Sequence, residues 1–261
     1  MTKEGLSGLV IAFNEELRIV DCIRSLFEVC DDVVVVDSCS TDRTVELAEC
    51  AGATVLKQSF LGDGPQRNFG IPHCRHDWII NLDADEVLEA DFVDFMKRNE
   101  LDSLAVDAIA SRRRNYVGGR TTRLAGQYPD YVVRVFDRRK ARFSNVKVHT
   151  RIQAARILRT AVHIKHHSYA DYADLFARAV KYGAWAADDL AARGVPINRF
   201  SGVLHGATSL LKHYVVKMGF LAGADGLNIS LAKALSSYLK YAHARERLVR
   251  TKVLSDGQSD L

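Results

Sequence analysis

The sequence predicts an α/β protein with an open, mostly parallel, doubly wound sheet, followed by a C-terminal helical extension. Two observations carry this prediction. Short apolar runs of strand length alternate with amphipathic helical segments over roughly the first 100 residues. The second run contains four consecutive valines, which is typical of a strand buried on both faces of a parallel sheet.

Four strands are predicted in the first part of the chain, each followed by a helix. They cover Leu6–Phe13, Asp32–Asp37, Thr54–Gln58 and Trp78–Asp83. Asn14 follows the first strand and is expected to cap the next helix. Ligands bind beyond the carboxyl ends of the strands in such sheets. The residues that follow the first, second and fourth strands are therefore expected to lie along one edge.

The later part of the chain changes from alternating elements to strands and then helices. The predicted strands cover Ala108–Arg114, Tyr131–Phe136 and the short region Asn145–Gln153. The predicted helices cover Asp171–Arg193, Gly206–Leu221 and Asn228–Arg247. We therefore divide the chain into a sheet domain, residues 1–170, and a helical extension, residues 171–261.

Charge is distributed unevenly along the chain. Residues 1–110 carry 9 Lys/Arg and 22 Asp/Glu, whereas residues 111–165 carry 15 and 2. A basic block beside an acidic region suggests a place where anions bind near a metal-holding site. Pairing of these opposite charges with each other is the alternative.

Cysteine usage and the N-terminal sequence indicate a cytoplasmic protein. The five cysteines contain no C-x-x-C pair, which favours free thiols in a reducing compartment. The first residues show no signal-peptide pattern, and no run of 18 apolar residues is present. These patterns disfavour a disulfide-bonded secreted domain and a membrane-spanning helix.

The stretch Trp78–Glu86, W-I-I-N-L-D-A-D-E, is the main candidate for chemistry. Asp83 and Asp85 follow a buried strand and, being two residues apart, point the same way. Two such carboxylates suit a hard divalent ion, Mg²⁺ or Mn²⁺, that keeps positions open for phosphate. An acidic turn that caps the next helix is the alternative for this stretch alone.

Three blocks in order resemble an inverting family 2 glycosyltransferase: V-I-A-F-N-E-E, V-V-V-D-S-C-S-T-D-R-T and N-L-D-A-D-E. The later Y-P-D-Y-V-V-R-V-F-D-R-R and V-H-T-R-I are similar to the subgroup that adds glucose to the heptose of lipopolysaccharide core. The resemblance implies a GT-A fold for residues 1–170 and a UDP-sugar donor.

The resemblance also implies roles for residues along the predicted edge. Asp37 would accept a hydrogen bond from the uracil N–H, Asp83 would contact the ribose or an outer-sphere water, and Asp85 would bind the metal ion. The remaining residues implied to hold the nucleotide are Phe13, Asn14, Glu15, Ser38 and Arg67. Cys39 stands where the second block commonly has glycine.

The resemblance does not supply the expected general base. The similar subgroup usually reads V-H-E where this chain has Val148-His149-Thr150, and threonine cannot replace the carboxylate as a base. Asp130 in Y-P-D-Y is then the first candidate for the catalytic base, and His149 is the next. His149 or His167 could supply a further metal ligand; a structural hydrogen-bonding role is the alternative for both.

The acceptor expected from the resemblance is an anionic, lipid-linked or core oligosaccharide. Arginine side chains match phosphate groups, and the basic block extends from Arg112 to Arg142. No nucleic-acid motif accompanies this charge, so nucleic acid is disfavoured. The C-terminal helices combine apolar faces with lysines, which favours contact with the inner-membrane surface over a helical cap or a dimer contact.

Two other functions remain open at this point. The first is a nucleotide-sugar-binding protein with little transferase activity, which Thr150 motivates. The second is a nucleotidyltransferase, which should show a Gly-rich phosphate loop with lysine after the first strand, whereas the chain has A-F-N-E-E. A dehydrogenase is disfavoured because no G-x-G-x-x-G follows that strand.

Overall fold

The computed structural model describes residues 5–144, 150–193 and 195–258, with side chains up to residue 249. The strands are β1 (Leu6–Ala12), β2 (Asp32–Asp37), β3 (Thr54–Lys57), β4 (Trp78–Asp83), β5 (Glu86–Leu88), β6 (Ala108–Val117), β7 (Arg120–Thr121), β8 (Asp130–Asp137), β9 (Arg142–Phe143), β10 (Ile152–Gln153) and β11 (Ile157–Tyr169). The α-helices are α1 (Ile19–Phe27), α2 (Thr44–Cys50), α3 (Asp63–Gly70), α4 (Ala90–Arg98), α5 (Tyr172–Ala192), α6 (Ser201–Leu210) and α7 (Gly223–Gln258).

Nine strands within the described ranges form one sheet in the order β3-β2-β1-β4-β8-β6-β11-β5, with β7 paired to β6. The first four strands in this order pair in parallel, as the sequence predicts. Antiparallel pairs, β4 with β8, β8 with β6 and β11 with β5, extend the sheet. The predicted α/β class with helices at the C-terminal end is confirmed.

The valine run of β2 shows why this sheet forms. Val33 and Val35 pack into the apolar core that contains α1, whereas Val34 and Val36 pack into the core on the opposite face. Alternate side chains of β4 divide in the same way between the two cores. Both faces are therefore covered, as expected for central parallel strands.

The chain divides into two compact units. The first unit contains residues 1–114 and 129–166, and the second contains residues 115–128 and 167–261. In the second unit, Leu175 and Ala179 of α5 pack on Ile229 and Ala232 of α7, with Ala125 in the same cluster. The functional division at residue 170 stays a prediction.

Local details differ from the sequence predictions at several points. Asn14 does not cap α1, because α1 begins at Ile19 and the backbone of Asn14 has a φ of 54°. The predicted helix near residue 206 is interrupted by a π-helical turn, Leu211–Val216, and a 3₁₀ turn, Gly219–Ala222. Of the strand region predicted at 145–153, residues 145–149 lie outside the described residues. In the part of the chain that the structure describes, no helix is long and apolar enough to span a bilayer.

Candidate active site

The carboxyl ends of β1, β2 and β4 meet at one edge of the sheet. The register pairs Ala12 of β1 with Asp37 of β2, and Ile11 of β1 with Asp83 of β4. Because these three strands are parallel neighbours, the structure brings together the residues predicted to form the donor site at their ends. The side chains at and beyond this edge are Phe13, Asn14, Glu15, Asp37, Ser38, Asp83 and Asp85.

The loops after β1 and β2 interlock through Asn14. The Asn14 side-chain oxygen accepts a hydrogen bond from the Thr41 backbone N–H at 2.8 Å, and the Asn14 backbone N–H donates to the Ser40 hydroxyl at 2.9 Å. The Glu15 backbone N–H donates to the Thr44 hydroxyl at 2.7 Å. These bonds hold Phe13, whose side chain is 57% exposed, at the open side of the edge.

Asp37 is fully buried and shapes the turn that follows β2. Its carboxylate accepts from the Ser40 backbone N–H at 2.9 Å and from the Ser40 hydroxyl at 2.5 Å. Each carboxylate oxygen has two lone pairs, so Asp37 can accept bonds beyond those from Ser40. Next to it, the Ser38 hydroxyl accepts a bond from Gln66 at 3.3 Å, which ties β2 to α3.

Asp83 lies between two arginine side chains. Arg67 of α3 donates to one of its oxygens, and Arg134 of β8 donates to the other at 2.5 Å. Arg67 also bonds to Asp63. Burial alone would raise the pKa of Asp83, but Arg134 and Arg67 outweigh burial and hold this pKa well below its ordinary value. Asp83 is therefore an ionised, doubly paired carboxylate.

Glu86, directly after the D-A-D sequence, completes this network. Its side chain is fully buried and accepts from Arg134 at 2.6 Å and from the backbone N–H of Asp83 at 3.2 Å. Burial alone would lower the pKa of Arg134, but Asp83 and Glu86 raise it well above its ordinary value. The sequence-based interpretation placed Arg134 in a basic block that meets an anionic acceptor; in the structure it pairs with these two carboxylates.

Asp85 faces a histidine rather than an arginine. Its Oδ2 atom lies 3.4 Å from Nε2 of His166 on β11. A carboxylate oxygen and an imidazole nitrogen at this separation are a donor set that suits Mn²⁺ or Mg²⁺, with further positions left for diphosphate oxygens. Asp85 fits the ligand role better than Asp83, because both oxygens of Asp83 already accept from arginines.

The sequence named two other histidines, His167 and His149, as possible ligands. His167 belongs to the second unit, and its ring packs near the ring of Tyr116 at a centroid distance of 6.2 Å. Successive side chains of a strand face opposite sides, so the step from His166 to His167 reverses the direction of the side chain. We therefore assign the candidate ligand role to His166. His149 lies outside the described residues.

Asp130, the candidate base, begins β8 and pairs with Arg113 of β6. Arg113 Nε donates to Asp130 at 2.9 Å, and the same guanidinium lies 3.3 Å from Glu86. Arg113 thus connects the candidate base to the Asp83–Glu86 network. The Asp130 side chain is about one-third exposed, so solvent and an acceptor hydroxyl can reach it.

Thr150 has a structural role. Its hydroxyl donates to the backbone carbonyl of Ser144 at 3.0 Å, and both residues lie against Gly64 of α3. A Cβ atom at position 64 would lie 2.0 Å from that carbonyl oxygen. Ser144 and Thr150 therefore lie against the helix that carries Arg67.

A second group of side chains that could bind a metal ion lies outside this site. Glu89, Asp91 and His163 have ligand atoms within 4.8 Å of one another. Arg114 donates to Glu89 and lies 3.2 Å from His163 Nδ1, which is 2.6 Å from Asp91. Because a guanidinium already balances these carboxylates, the group fits an ion-pair network better than a cation site.

The residues that the sequence did not assign to this site are Glu86, Arg113, Arg134 and His166. A signal for Glu86 was present, since it directly follows the D-A-D sequence. Arg134 and His166 come from strands about 50 and 80 residues later, and only the antiparallel additions to the sheet place them here. Strand pairing of this kind has no local sequence signal.

The comparisons with known proteins identify the class of this protein as a glycosyltransferase. The chain belongs to glycosyl transferase family 2, whose model matches residues 7–166. It is 29% identical to an uncharacterized glycosyltransferase of Rickettsia felis, over 95% of this chain and 92% of that protein. A shorter match, 38% identical over 32% of this chain and 33% of the relative, is to the lipopolysaccharide core biosynthesis glycosyltransferase LpsC of Rhizobium meliloti.

The chain also matches a solved structure, S. aureus TarS 1-349 in complex with UDP. That match has 14% identity and a TM-score of 0.46, covers 93% of this chain and 91% of the other, and supports no inference about this chain. The family membership confirms the resemblance that the three sequence blocks indicate, and it disfavours a nucleotidyltransferase.

Proposed function

We propose that this glycosyltransferase is a metal-dependent, inverting hexosyltransferase that uses a UDP-sugar, with glucose as the expected hexose. The observation that carries the proposal is the placement of Asp85 and His166 beside the buried Asp83 network at the strand edge. Asp85 and His166 provide a donor set for one divalent cation, next to the ion-paired network around Asp83. The shorter match to LpsC and the sequence resemblance support lipopolysaccharide core or another lipid-linked glycan as the acceptor.

In the proposed reaction, the acceptor oxygen forms a bond to the anomeric carbon while the bond from that carbon to the UDP oxygen breaks. The acceptor hydroxyl loses its proton to Asp130, and the electron pair of the broken bond leaves with UDP. A divalent ion held by Asp85 and His166 would stabilise the charge on the leaving diphosphate. Asp37 would accept from the uracil N–H, and Phe13 would cover the nucleoside.

The other donor-site residues have supporting roles in this proposal. Asn14 and Glu15 fix the nucleoside loop through their bonds to residues 40–44. Arg67 positions Asp83, and Ser38 is held by Gln66. We further propose that the enzyme works in the cytoplasm, at the inner-membrane surface where a lipid-linked acceptor would be available.

The first test is a comparison of nucleotide binding with and without metal. We expect UDP to bind at least tenfold more tightly with Mn²⁺ than with a chelator, and Asp85→Asn to remove most of that gain, because a metal ligand is lost. Asp91→Asn is the matched control from the second acidic group. Calorimetry with both variants decides between the two positions: a loss in Asp91→Asn alone would place the metal at Glu89, Asp91 and His163.

The second test concerns the base. Asp130→Asn should bind UDP and Mn²⁺ like the wild type but lose about 10²–10⁴-fold in transfer, which is the usual contribution of a general base. Asp94→Asn, which also removes an arginine-paired carboxylate, is the control for charge alone. UDP release from a panel of UDP-sugars, with a heptose-containing acceptor, is the measurement. Full activity in Asp130→Asn would exclude Asp130, and binding of donors without any release would favour a nucleotide-sugar-binding protein.

A further inference from the structure

The segment of residues 199–222 in the second unit exposes an unusual number of large apolar side chains. Six of them have between 58% and 68% of their surface exposed. They are Phe200, Val203, Leu204, Leu211, Val216 and Leu221. Single exposed apolar side chains are ordinary, but a concentration in 24 consecutive residues marks an interaction surface.

The packing of α6 turns these side chains outward. Its inward positions are glycines: a Cβ at Gly202 would lie 3.2 Å from Tyr238 of α7, and a Cβ at Gly206 would lie 3.1 Å from the same residue. The large residues Val203 and Leu204 occupy the outward positions. A helix of a soluble protein normally buries its large apolar residues, so α6 has the reverse arrangement.

The chain after α6 forms defined turns and carries more of these exposed apolar side chains. Met218 has a φ of 53° and Gly223 has a φ of 57°, and these two positions bound the 3₁₀ turn. A Cβ at Gly226 would lie 1.9 Å from the carbonyl oxygen of Gly219, so the turn packs closely on the start of α7. The backbone is fixed by these contacts, and the exposure of Val216 and Leu221 is part of the fold.

The charge of the segment favours an anionic partner. Between Asp189 and Asp225 the sequence contains no Asp or Glu, and its basic residues there are Arg193, Arg199, Lys212 and Lys217. Burial lowers the pKa of His213, and so do the nearby lysines, although the Ser209 carbonyl opposes them. A second copy of this chain would bring two basic faces together, which charge repulsion disfavours.

We infer that residues 199–222 form a docking surface for an anionic lipid bilayer. The exposed Val, Leu and Phe side chains enter the region between headgroups and acyl chains, and Arg199, Lys212 and Lys217 contact the lipid phosphates. The inference deepens the proposed membrane location of the enzyme. Its test uses neither donor nor acceptor, so its failure would leave the proposed transfer reaction untouched.

The test is co-sedimentation of the full chain with vesicles. We expect binding to phosphatidylglycerol/phosphatidylethanolamine vesicles, at least tenfold weaker binding to phosphatidylcholine vesicles, and weakening by high salt. Leu204→Gln/Leu221→Gln should lower the partition coefficient at least tenfold. Ile157→Gln/Val249→Gln, which changes two exposed apolar side chains outside the segment, should bind like the wild type.

Each other outcome counts against the inference. Equal binding by the two double variants would show that the segment does not dock. No vesicle binding, together with a dimer in solution that Leu204→Gln/Leu221→Gln converts to a monomer, would assign the surface to a second copy. Circular dichroism of both variants establishes that each is folded, since all four positions are exposed and neither change creates a cavity.

Discussion

Asp83 and Asp85 have different surroundings although only Ala84 separates them. Asp83 accepts from Arg67 and Arg134, whereas Asp85 faces His166. Two neighbouring carboxylates with partners of different kinds can have different roles in a site. The paired one fixes the edge of the sheet, and the other can bind an ion. The sequence predicts that both are present at a strand end, and only the tertiary contacts distinguish them.

The backbone conformation of Cys39 is set by the loop around it. It has a φ of 65°, in the left-handed region where glycine is preferred, and it stands where the resembled family commonly has glycine. The turn is held by the bonds from Ser40 to Asp37 and from Thr41 to Asn14. The surrounding loop therefore imposes this conformation, and the thiol itself has no role in the proposed reaction.

Arg134 is the residue whose removal should cost most. Arg134→Met leaves Asp83 and Glu86 without their shared partner, and breaking one side of a buried ion pair costs about 3–5 kcal/mol. We expect a loss of this size in the free energy of unfolding, measured with urea. Arg43→Met, which removes one side of a fully exposed pair with Glu46, should stay close to the wild type.

A double variant separates charge from packing at this position. Arg134→Met/Glu86→Gln should recover part of the lost stability, because the second change removes an uncompensated buried charge. If the double variant is less stable than the wild type by the full sum of the two single losses, then Arg134 acts through packing alone. That result would contradict the electrostatic role assigned here.

At the scale of elements, the parallel half of the sheet was predictable and the antiparallel half was less so. β2 and β4 begin and end at the predicted residues, because their apolar runs are bounded by charged residues and are buried on both faces. β6, at 10 residues, is longer than the predicted Ala108–Arg114, and it lies beside β11, which has 13 residues. Their polar and charged side chains pair with each other across the sheet. The sequence of one strand does not show which residues of another strand will lie beside it.

The contact of α3 with Ser144 and Thr150 should also be sensitive to a small change. A Cβ at Gly64 would lie 2.0 Å from the Ser144 carbonyl oxygen and 2.6 Å from the Thr150 hydroxyl. Gly64→Ala must therefore displace Ser144 and Thr150 or the helix, and overpacking of this kind costs about 1–3 kcal/mol. We expect a lower midpoint in thermal unfolding and weaker UDP binding, because Arg67 is on the same helix.

The control for this prediction is Thr150→Ala/Gly64→Ala. The nearest obstacle to the new methyl group is a backbone carbonyl, so shortening Thr150 should not restore the stability of Gly64→Ala. Recovery in the double variant would show that the Thr150 hydroxyl, not the backbone, limits the approach. Unchanged stability of Gly64→Ala alone would contradict the close contact.

At the scale of the whole molecule, the uneven distribution of charge along the sequence has a structural explanation. Many arginines of the basic block pair with acids of the first 110 residues inside the first unit. The pairs include Arg113–Glu86, Arg114–Glu89, Arg134–Asp83, Arg138–Asp77 and Arg139–Asp102. The alternative considered at the level of sequence, mutual pairing, therefore accounts for much of the block.

This dependence on paired carboxylates predicts that the protein is sensitive to acid. Asp137 is an example whose side chain is fully buried. Burial alone would raise its pKa, but hydrogen bonds from Arg139 and Lys140 outweigh burial and lower the pKa from 3.8 to about 2. A carboxyl group whose pKa is lower in the folded state stabilises the protein above its unfolded pKa. That stabilisation is lost as the pH falls from about 4 to about 2.

The size and sign of this effect can be measured with Asp137→Asn. A difference of nearly two pKa units corresponds to about 2 kcal/mol at neutral pH. We expect the variant to be less stable than the wild type by about that amount at pH 7, and the gap to close between about pH 4 and pH 2. Urea unfolding across this range gives the comparison, with Glu46→Gln as a control in which an exposed arginine-paired carboxylate is removed. Parallel pH profiles for Asp137→Asn and the wild type would contradict the prediction, because a carboxyl group that contributes no proton linkage cannot be the source of acid sensitivity.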